Sequence, residues 1–254
     1  MNVAAGFDPS RPWLAPFSPR AAAMAASLAQ GAEAAAVLSD ARPDIARPAG
    51  PLRFVQAHAA PSGEAYEAYI HRTAEVPTRD NLHDFFNGLV WLHFPRAKRR
   101  LNALQAAEIA RDGIGATRGL LRDALTLFDE NGAVLDAPPA LWQALLAHDW
   151  QRLFVHERTL WREARLLVFG HALLEKLVTP RKALTAHVLW APGAARSIAV
   201  DDAAIEAALT PSHLAGKPFA PLPVLGVPGW WPANEAPGFY DDAAVFRPPR
   251  SPRH

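Results

Sequence analysis

The amino-acid sequence predicts a single α+β domain that is predominantly helical, with one small β-hairpin sheet and an irregular, proline-rich C-terminal strap. Its 254 residues suit one large domain. Residues 1–80 contain nine prolines, residues 201–254 contain ten, and the 120 residues between them contain five. Because proline removes a helix hydrogen bond and clashes with the preceding turn, we expect the regular structure to lie in the middle, with the two ends wrapping over it.

The first half of the chain is dominated by helical periodicity. Residues 1–50 form an extension rich in Ala and Pro. Apolar spacing and helix-start residues then predict the following elements: an Ala-rich helix over 20–38 that Gly31 weakens, a short strand over 52–56, and helices over 62–73, from 78 or 80 to 93, and over 97–111. Pro95 ends the fourth of these segments.

The second half contains the predicted sheet. Two apolar segments flank Asn131-Gly132 within residues 123–135, and this dipeptide tolerates the positive φ of a tight hairpin turn. Helices are predicted over 139–150 and 152–178, and residues 183–190 fit either a strand or a helix.

The closely spaced prolines of the strap, residues 211–248, predict an ordered but irregular segment that covers the core. We therefore assign the globular domain to residues 51–248, with its core at 81–190, and expect a frayed tail at 249–254.

The composition excludes several classes of protein. The absence of cysteine rules out thiolate catalysis, cysteine-ligated zinc and iron–sulfur clusters. A formal net charge of +1 is not that of a strongly basic nucleic-acid binder. Neither a secretory signal nor an apolar stretch of about 18 residues is readable, so we expect a soluble, cytoplasmic protein without a membrane span.

Two predicted helices place polar side chains within apolar stripes. His83 and Asn87 are four residues apart and share a helix face, next to Asp84. His171 and Glu175 are also four apart, and His171 falls at the centre of the apolar face of its predicted helix. Because a buried imidazole requires a partner, the pattern predicts that His171 pairs with Glu175.

The first functional hypothesis is an enzyme, a hydrolase or a lyase. His171 is its general base or a metal ligand, Glu175 orients His171, and His83 and Asp84 come from the facing helix. His187 is a further candidate to complete a metal site. Imidazoles and carboxylates suit a divalent zinc, manganese or iron ion. The second hypothesis is a non-catalytic scaffold or interaction protein in which the same groups form structural hydrogen bonds.

The third hypothesis comes from charge. Residues 94–122 carry seven basic and two acidic groups, whereas residues 123–150 carry five acidic groups and no Lys or Arg. Either the two segments neutralise each other, or the basic segment binds phosphate or nucleic acid. The residues of such a patch are Arg96, Lys98, Arg99 and Arg100. Since most charge runs are solvated surface, nucleic-acid binding ranks third.

Four long blocks resemble an uncharacterised proteobacterial family, the domain of unknown function DUF3025. The blocks are NLHDFFNGLVWLHFPRAKRRLN (81–102), RDALTLFDENGAVL (122–135), FGHALLEKLVTPRKALTAH (169–187) and PLPVLGVPGWWPANEAPGFYDDAAVFRP (221–248). The resemblance covers about residues 50–248 and implies no activity, cofactor or partner. The blocks include the candidate positions His83, Asp84, Asn87, Asp129, His171, Glu175 and His187.

Overall fold

A computed structural model describes residues 7–18, 20–41, 51–113, 119–192, 198–236 and 238–248. Within these ranges the α-helices are α1 (Arg20–Ala29), α2 (Ala34–Asp40), α3 (Tyr66–Thr73), α4 (Leu82–His93), α5 (Pro95–Asp112), α6 (Leu120–Asn131), α7 (Pro139–Leu146), α8 (His171–Lys176), α9 (Ile198–Ala208) and α10 (Pro211–Ala215). The strands are β1 (Arg53–Gln56), β2 (Glu75–Thr78), β3 (Gly132–Asp136), β4 (Arg165–Val168), β5 (Thr185–Trp190) and β6 (Ala220–Pro223). The predominantly helical α+β class is confirmed.

The strands form two small sheets. β1 and β2 pair in parallel, and the larger sheet has the order β4-β3-β5-β6. In it β3 runs antiparallel to β4 and parallel to β5, and β5 runs antiparallel to β6. The ambiguous segment at 183–190 is therefore a strand, β5. The frayed tail predicted at 249–254 lies outside the described residues.

The predicted hairpin around Asn131-Gly132 is wrong. Residues 120–131 form helix α6, whose buried residues Ala124, Leu125 and Phe128 have helical spacing. Gly132 is the first residue of β3 and has a negative φ of −75°. Its lack of a side chain serves close packing, because a Cβ there would lie 2.3 Å from the carbonyl oxygen of Phe128. The dipeptide marks a helix-to-strand junction.

The helix predicted over 152–178 is also wrong. A π-helical turn at Arg152–His156 and a 3₁₀ turn at Arg158–Arg162 lead into β4, which pairs with β3. Gly170 then passes so close to α6 that a Cβ would lie 2.5 Å from the carbonyl oxygen of Glu130. As a result His171 is the first residue of a short helix, α8, that starts against the end of α6.

The ends of the chain are more regular than predicted. The helix expected over 20–38 divides into α1 and α2 at Gly31, which has a φ of 92°. Within the strap, residues 220–223 form the edge strand β6 and two of its four residues are proline. An edge strand tolerates proline because its outer N–H positions need no partner strand.

Four helices that precede β3 in the chain, together with α8 between β4 and β5, pack around one space. α4 contacts α8, α3 contacts α5, and α6 contacts both α5 and α8. The apolar stripe of α4 is fully buried at Phe85, Phe86, Leu89 and Val90. Among the described residues, none of the helices combines the length and apolarity needed to cross a bilayer.

Candidate metal centre

A cavity of about 480 Å³ lies between α3, α4, α5, α6 and α8. α3, α4, α5 and α6 precede β3 in the sequence and α8 follows it, so the cavity brings together residues that are far apart in the chain. The titratable side chains that line it from α4, α5, α6 and α8 are His83, Asp84, Lys98, Asp129, Glu130 and His171.

Two histidines face each other at the junction of α4 and α8. The Nε2 atoms of His83 and His171 lie 3.1 Å apart, with the rings at an interplanar angle of 75°. Nδ1 of His83 lies 2.9 Å from Oε2 of Glu175. Because a carboxylate only accepts, Nδ1 of His83 carries the proton in this bond, which leaves Nε2 to face His171.

The predicted pairing of Glu175 with His171 is therefore wrong. The two residues do share a face of α8, but that face packs against α4 and gives both of them another partner. Since α8 starts at His171, its ring reaches toward α4 and α6, while Glu175, one turn later, reaches His83. Both residues belong to the cluster, but the carboxylate holds the other histidine.

Glu130 was not a candidate in the sequence analysis, yet it completes the cluster. Its Oε2 lies 3.7 Å from Nε2 of His171, and the ligand atoms of His83, Glu130 and His171 all lie within 4.8 Å of one another. One signal could have found it. Asp129 and Glu130 lie at the C-terminal end of α6, where the helix dipole disfavours negative charge. An unfavourable pair of acids at that end calls for a nearby cation.

The three ligand atoms suit a transition-metal ion such as zinc. Zinc–nitrogen bonds of about 2.0–2.1 Å place two nitrogens of a tetrahedral site about 3.3 Å apart, close to the observed 3.1 Å. Two imidazoles and one carboxylate are a ligand set of catalytic zinc sites, which leave a fourth position open. The bond from His83 to Glu175 is the outer-shell contact that commonly fixes the tautomer of a ligating histidine.

The electrostatics of the cluster also suit a cation. Burial lowers the pKa of His171 to about 3, so its ring is neutral at neutral pH. Burial, followed by the negative charge of Asp129, raises the pKa of Glu130. A carboxylate that is costly to ionise in the empty protein gains a large compensating attraction when a divalent cation is bound.

A chain of hydrogen-bonded polar side chains begins beside the two histidines. Lys98 is only 4% exposed, and its Nζ donates to Oδ1 of Asp129 and to Oδ1 of Asn87. Nδ2 of Asn87 donates in turn to the hydroxyl of Tyr66, at 3.0 Å. Burial opposes the ionisation of Asp129, but attraction to the Lys98 ammonium group and its hydrogen bond outweigh it and keep the pKa of Asp129 below its ordinary value. The predicted ligand-binding residues Asn87, Lys98 and Asp129 thus converge in one network.

Two other candidate residues, Asp84 and His187, lie apart from the histidine pair. Asp84 lines the cavity, but its carboxylate accepts from the guanidinium and the backbone N–H of Arg79 at 2.7–3.0 Å. It also lies outside the three-ligand cluster. His187 is half-buried on β5, where burial lowers its pKa, and it is not among the residues that line the cavity. Neither joins the histidine pair.

The four residues of the predicted phosphate patch lie on different faces of α5. Arg96 and Arg99 pair with Glu206 of α9, and Arg100 donates to the carbonyl oxygen of Leu209. Lys98 points instead into the cavity, because positions two apart on a helix lie on different faces. The arginines attach α9 to α5, and Glu206 balances part of the positive charge from which the third hypothesis was drawn.

Comparison with known proteins gives a family match. A family model described as a protein of unknown function, DUF3025, matches residues 52–250. No curated protein sequence and no solved structure matches the chain. The matched range includes every residue of the histidine cluster and of the polar chain through Lys98.

Proposed function

The chain belongs to the DUF3025 family, and for this member we propose a function as a metal-dependent hydrolase with one divalent transition-metal ion. The ligands are Nε2 of His83, Nε2 of His171 and the carboxylate of Glu130. The observation that carries the proposal is the convergence of these three ligand atoms within 4.8 Å at the wall of a cavity.

The surroundings of the ligands support catalysis over a purely structural metal. Structural zinc sites are closed by four protein ligands, whereas three ligands leave a position for water or substrate. A metal ion at this position lowers the pKa of a bound water and polarises an oxygen of the substrate. The adjoining cavity of about 480 Å³ is within the size range of small-molecule sites.

Metal binding to the purified protein tests the proposal directly. After dialysis with Zn²⁺ or Co²⁺, we expect one ion per chain by elemental analysis and a rise in melting temperature, since a ligand that binds only the folded state stabilises it. Absence of bound metal, together with unchanged melting in chelator, would rule out the proposal.

Matched carboxamide variants locate the ion. Glu175→Gln changes only the outer carboxylate and is expected to weaken Zn²⁺ binding about 10- to 100-fold. Glu130→Gln removes a ligand charge and is expected to weaken it at least as much. The control is Glu206→Gln on α9, which carries the same chemical change at a half-buried ion pair with Arg96 and leaves affinity unchanged. Equal affinities in all three variants contradict the assignment.

The scaffold hypothesis remains the competing candidate, favoured by one observation. His83 bonds both His171 and Glu175, so the same contacts join α4 to α8 without any metal. In that case His171→Ala lowers stability by about 1–3 kcal/mol through the unpaired groups left behind. The loss is then the same with and without Zn²⁺, whereas a metal centre makes it larger when the ion is present.

A further inference from the structure

The polar chain beside the metal centre ends in a hydroxyl with an unused proton. Lys98 only donates hydrogen bonds, so the atom of Asn87 that faces it must be Oδ1. Nδ2 of Asn87 then donates to the hydroxyl of Tyr66, which accepts. Within the described part of the chain the proton of the Tyr66 hydroxyl has no acceptor, and this side chain lines the cavity and is 40% exposed.

The polar chain of Asp129, Lys98 and Asn87 holds the Tyr66 hydroxyl in a fixed position. Asn87 and Lys98 are buried on α4 and α5, and Asp129 on α6 anchors the ammonium group. Tyr66 is the first residue of α3, so three helices fix the position that its hydroxyl oxygen takes up. A donor that is pre-oriented by buried partners loses little entropy when it binds a ligand.

The charges of the cavity indicate which ligand fits that donor. Lys98 is paired with Asp129 and Arg79 is paired with Asp84, so both cations of the described cavity wall are already neutralised. The wall also carries five carboxylates, those of Glu64, Glu67, Asp84, Asp129 and Glu130, so even with a divalent ion bound it does not favour an anionic group. The remaining wall includes apolar side chains, among them Ile70, Pro77 and Leu101. A neutral donor beside such a wall suits an uncharged oxygen acceptor.

We propose that Tyr66 donates a hydrogen bond to the carbonyl oxygen of an uncharged substrate, an amide or an ester, bound beside the metal ion. The inference rests on the proposed function, because the metal supplies the attacking water. Tyr66 acts as a binding and oxyanion-stabilising residue, and Asn87 and Lys98 are positioning residues.

The chemical step balances with these groups. The oxygen of the metal-bound water forms a bond to the carbonyl carbon, and the π electron pair moves onto the carbonyl oxygen, which Tyr66 stabilises. When the pair returns, the carbon–nitrogen bond of an amide or the carbon–oxygen bond of an ester breaks, and the leaving group takes the proton from water. A donor aimed at the oxygen contributes most when the negative charge develops.

The test uses Co²⁺-loaded full-length protein and acetohydroxamic acid, a carbonyl compound that loses its hydroxyl proton when both of its oxygens chelate a metal ion. Its binding is followed by the visible absorption of Co²⁺. Tyr66→Phe keeps the ring and removes the donor, and we expect about tenfold weaker acetohydroxamic acid binding with unchanged Co²⁺ affinity. The matched control is Tyr69→Phe on the same helix. Tyr69 is only 4% exposed and donates to Glu75, so binding should be unchanged.

The outcomes separate the two proposals. A protein that binds no Co²⁺ overturns the proposed function, and the role of Tyr66 with it. A protein that binds Co²⁺ but shows equal acetohydroxamic acid affinity in wild type and Tyr66→Phe overturns the role of Tyr66 alone. Inorganic phosphate is the second probe. Phosphate binding that Tyr66→Phe weakens as much as it weakens acetohydroxamic acid binding overturns the assignment of an uncharged substrate.

Discussion

The cavity of the metal centre and the C-terminal strap use buried polar groups in opposite ways. In the strap, Nδ2 of Asn234 donates to the carbonyl oxygens of Leu225 and Val227, and the hydroxyl of Tyr240 donates to that of Gly226. In the cavity, the corresponding bonds join side chains to side chains, from Tyr66 through to Asp129. Side chain–side chain bonds are the minority class in folded proteins, so an unbroken run of three of them along one cavity wall is informative.

This contrast separates polar groups that stabilise the fold from polar groups that are available to a ligand. The polar groups of the strap satisfy irregular backbone that has few partners in regular secondary structure, and this role is complete without a ligand. The polar side chains of the metal centre instead surround an open cavity. A second cavity of about 370 Å³ borders the strap, and its wall includes Phe154, Tyr240 and Arg158. Arg158 already bonds Tyr240, Asn234 and Glu235 there. The presence of a cavity therefore does not by itself distinguish a functional site from a structural one.

The largest expected effect comes from the aromatic cluster of the strap. The fully buried ring of Phe154 stacks on Tyr240 at 5.1 Å and on Trp161 at 5.9 Å. Phe154→Ala should lower the free energy of unfolding by about 3–5 kcal/mol, measured by denaturant titration, because it removes a large buried side chain and leaves a cavity. Zn²⁺ affinity per folded molecule should not change.

Phe154→Leu is the graded control for this prediction, since it keeps part of the volume and should cost less. If Zn²⁺ affinity falls in step with stability across the two variants, the strap and the metal centre are coupled and the comparison fails.

The next effect is the pH dependence of the metal-free protein. His171 has an ordinary pKa of 6.5, which burial lowers to about 3 in the folded state. Between these values the unfolded chain binds a proton that the folded chain does not. This contribution to stability is therefore complete above pH 6.5 and is lost as the pH falls toward 3, by at most about 1.4 kcal/mol per pH unit. Unfolding titrations between pH 7.5 and 4 measure the slope.

The variant His171→Leu removes the titrating ring and should flatten this part of the slope. A strap variant such as Val227→Ala lowers stability by a similar amount at every pH, because it removes no titratable group. An identical slope in wild type and His171→Leu would show that burial of this ring does not cause the acid sensitivity.

The smallest expected effect comes from a polar group in the strap. The hydroxyl of Tyr240 donates to Gly226 and accepts from Arg158 at 3.1 Å. Tyr240→Phe should cost about 1 kcal/mol of unfolding free energy, since it leaves a buried carbonyl oxygen without a partner. The variant should bind Zn²⁺ and acetohydroxamic acid as the wild type does. A loss of either ligand would contradict the purely structural role of the strap.

Local sequence patterns identified much of the helical part of the fold. The apolar stripe of residues 82–93 and the position of Pro95 predicted α4 and the start of α5 to within a few residues, because helical spacing and proline sterics act over one or two turns. The same patterns failed at α6 and β4. Residues 120–131 are short and apolar on one side, so they fit one arm of a hairpin as well as they fit a helix. Residues 165–168 likewise fit a long helix as well as a strand. Only the pairing of β3 with β4 decides between these structures.

The candidate site shows the same division. Spacing in the sequence identified His83 and His171 as candidates, because polar residues within apolar stripes can be recognised from helical periodicity. It could not identify Glu130 as a ligand or Glu175 as the partner of His83, a residue 92 positions away. The side chains of a site meet across helices whose approach is fixed by sheet pairing and by close contacts such as that of Gly170 with α6.

Local sequence patterns were therefore sufficient to predict the helical class, the positions of α4 and α5 and most of the candidate residues of the site. The tertiary structure decided which of those residues meet. The physical reason is range, since hydrophobic periodicity and capping act between neighbours in the chain. A pair such as His83 and His171, 88 residues apart, is set by the packing of α4 against α8.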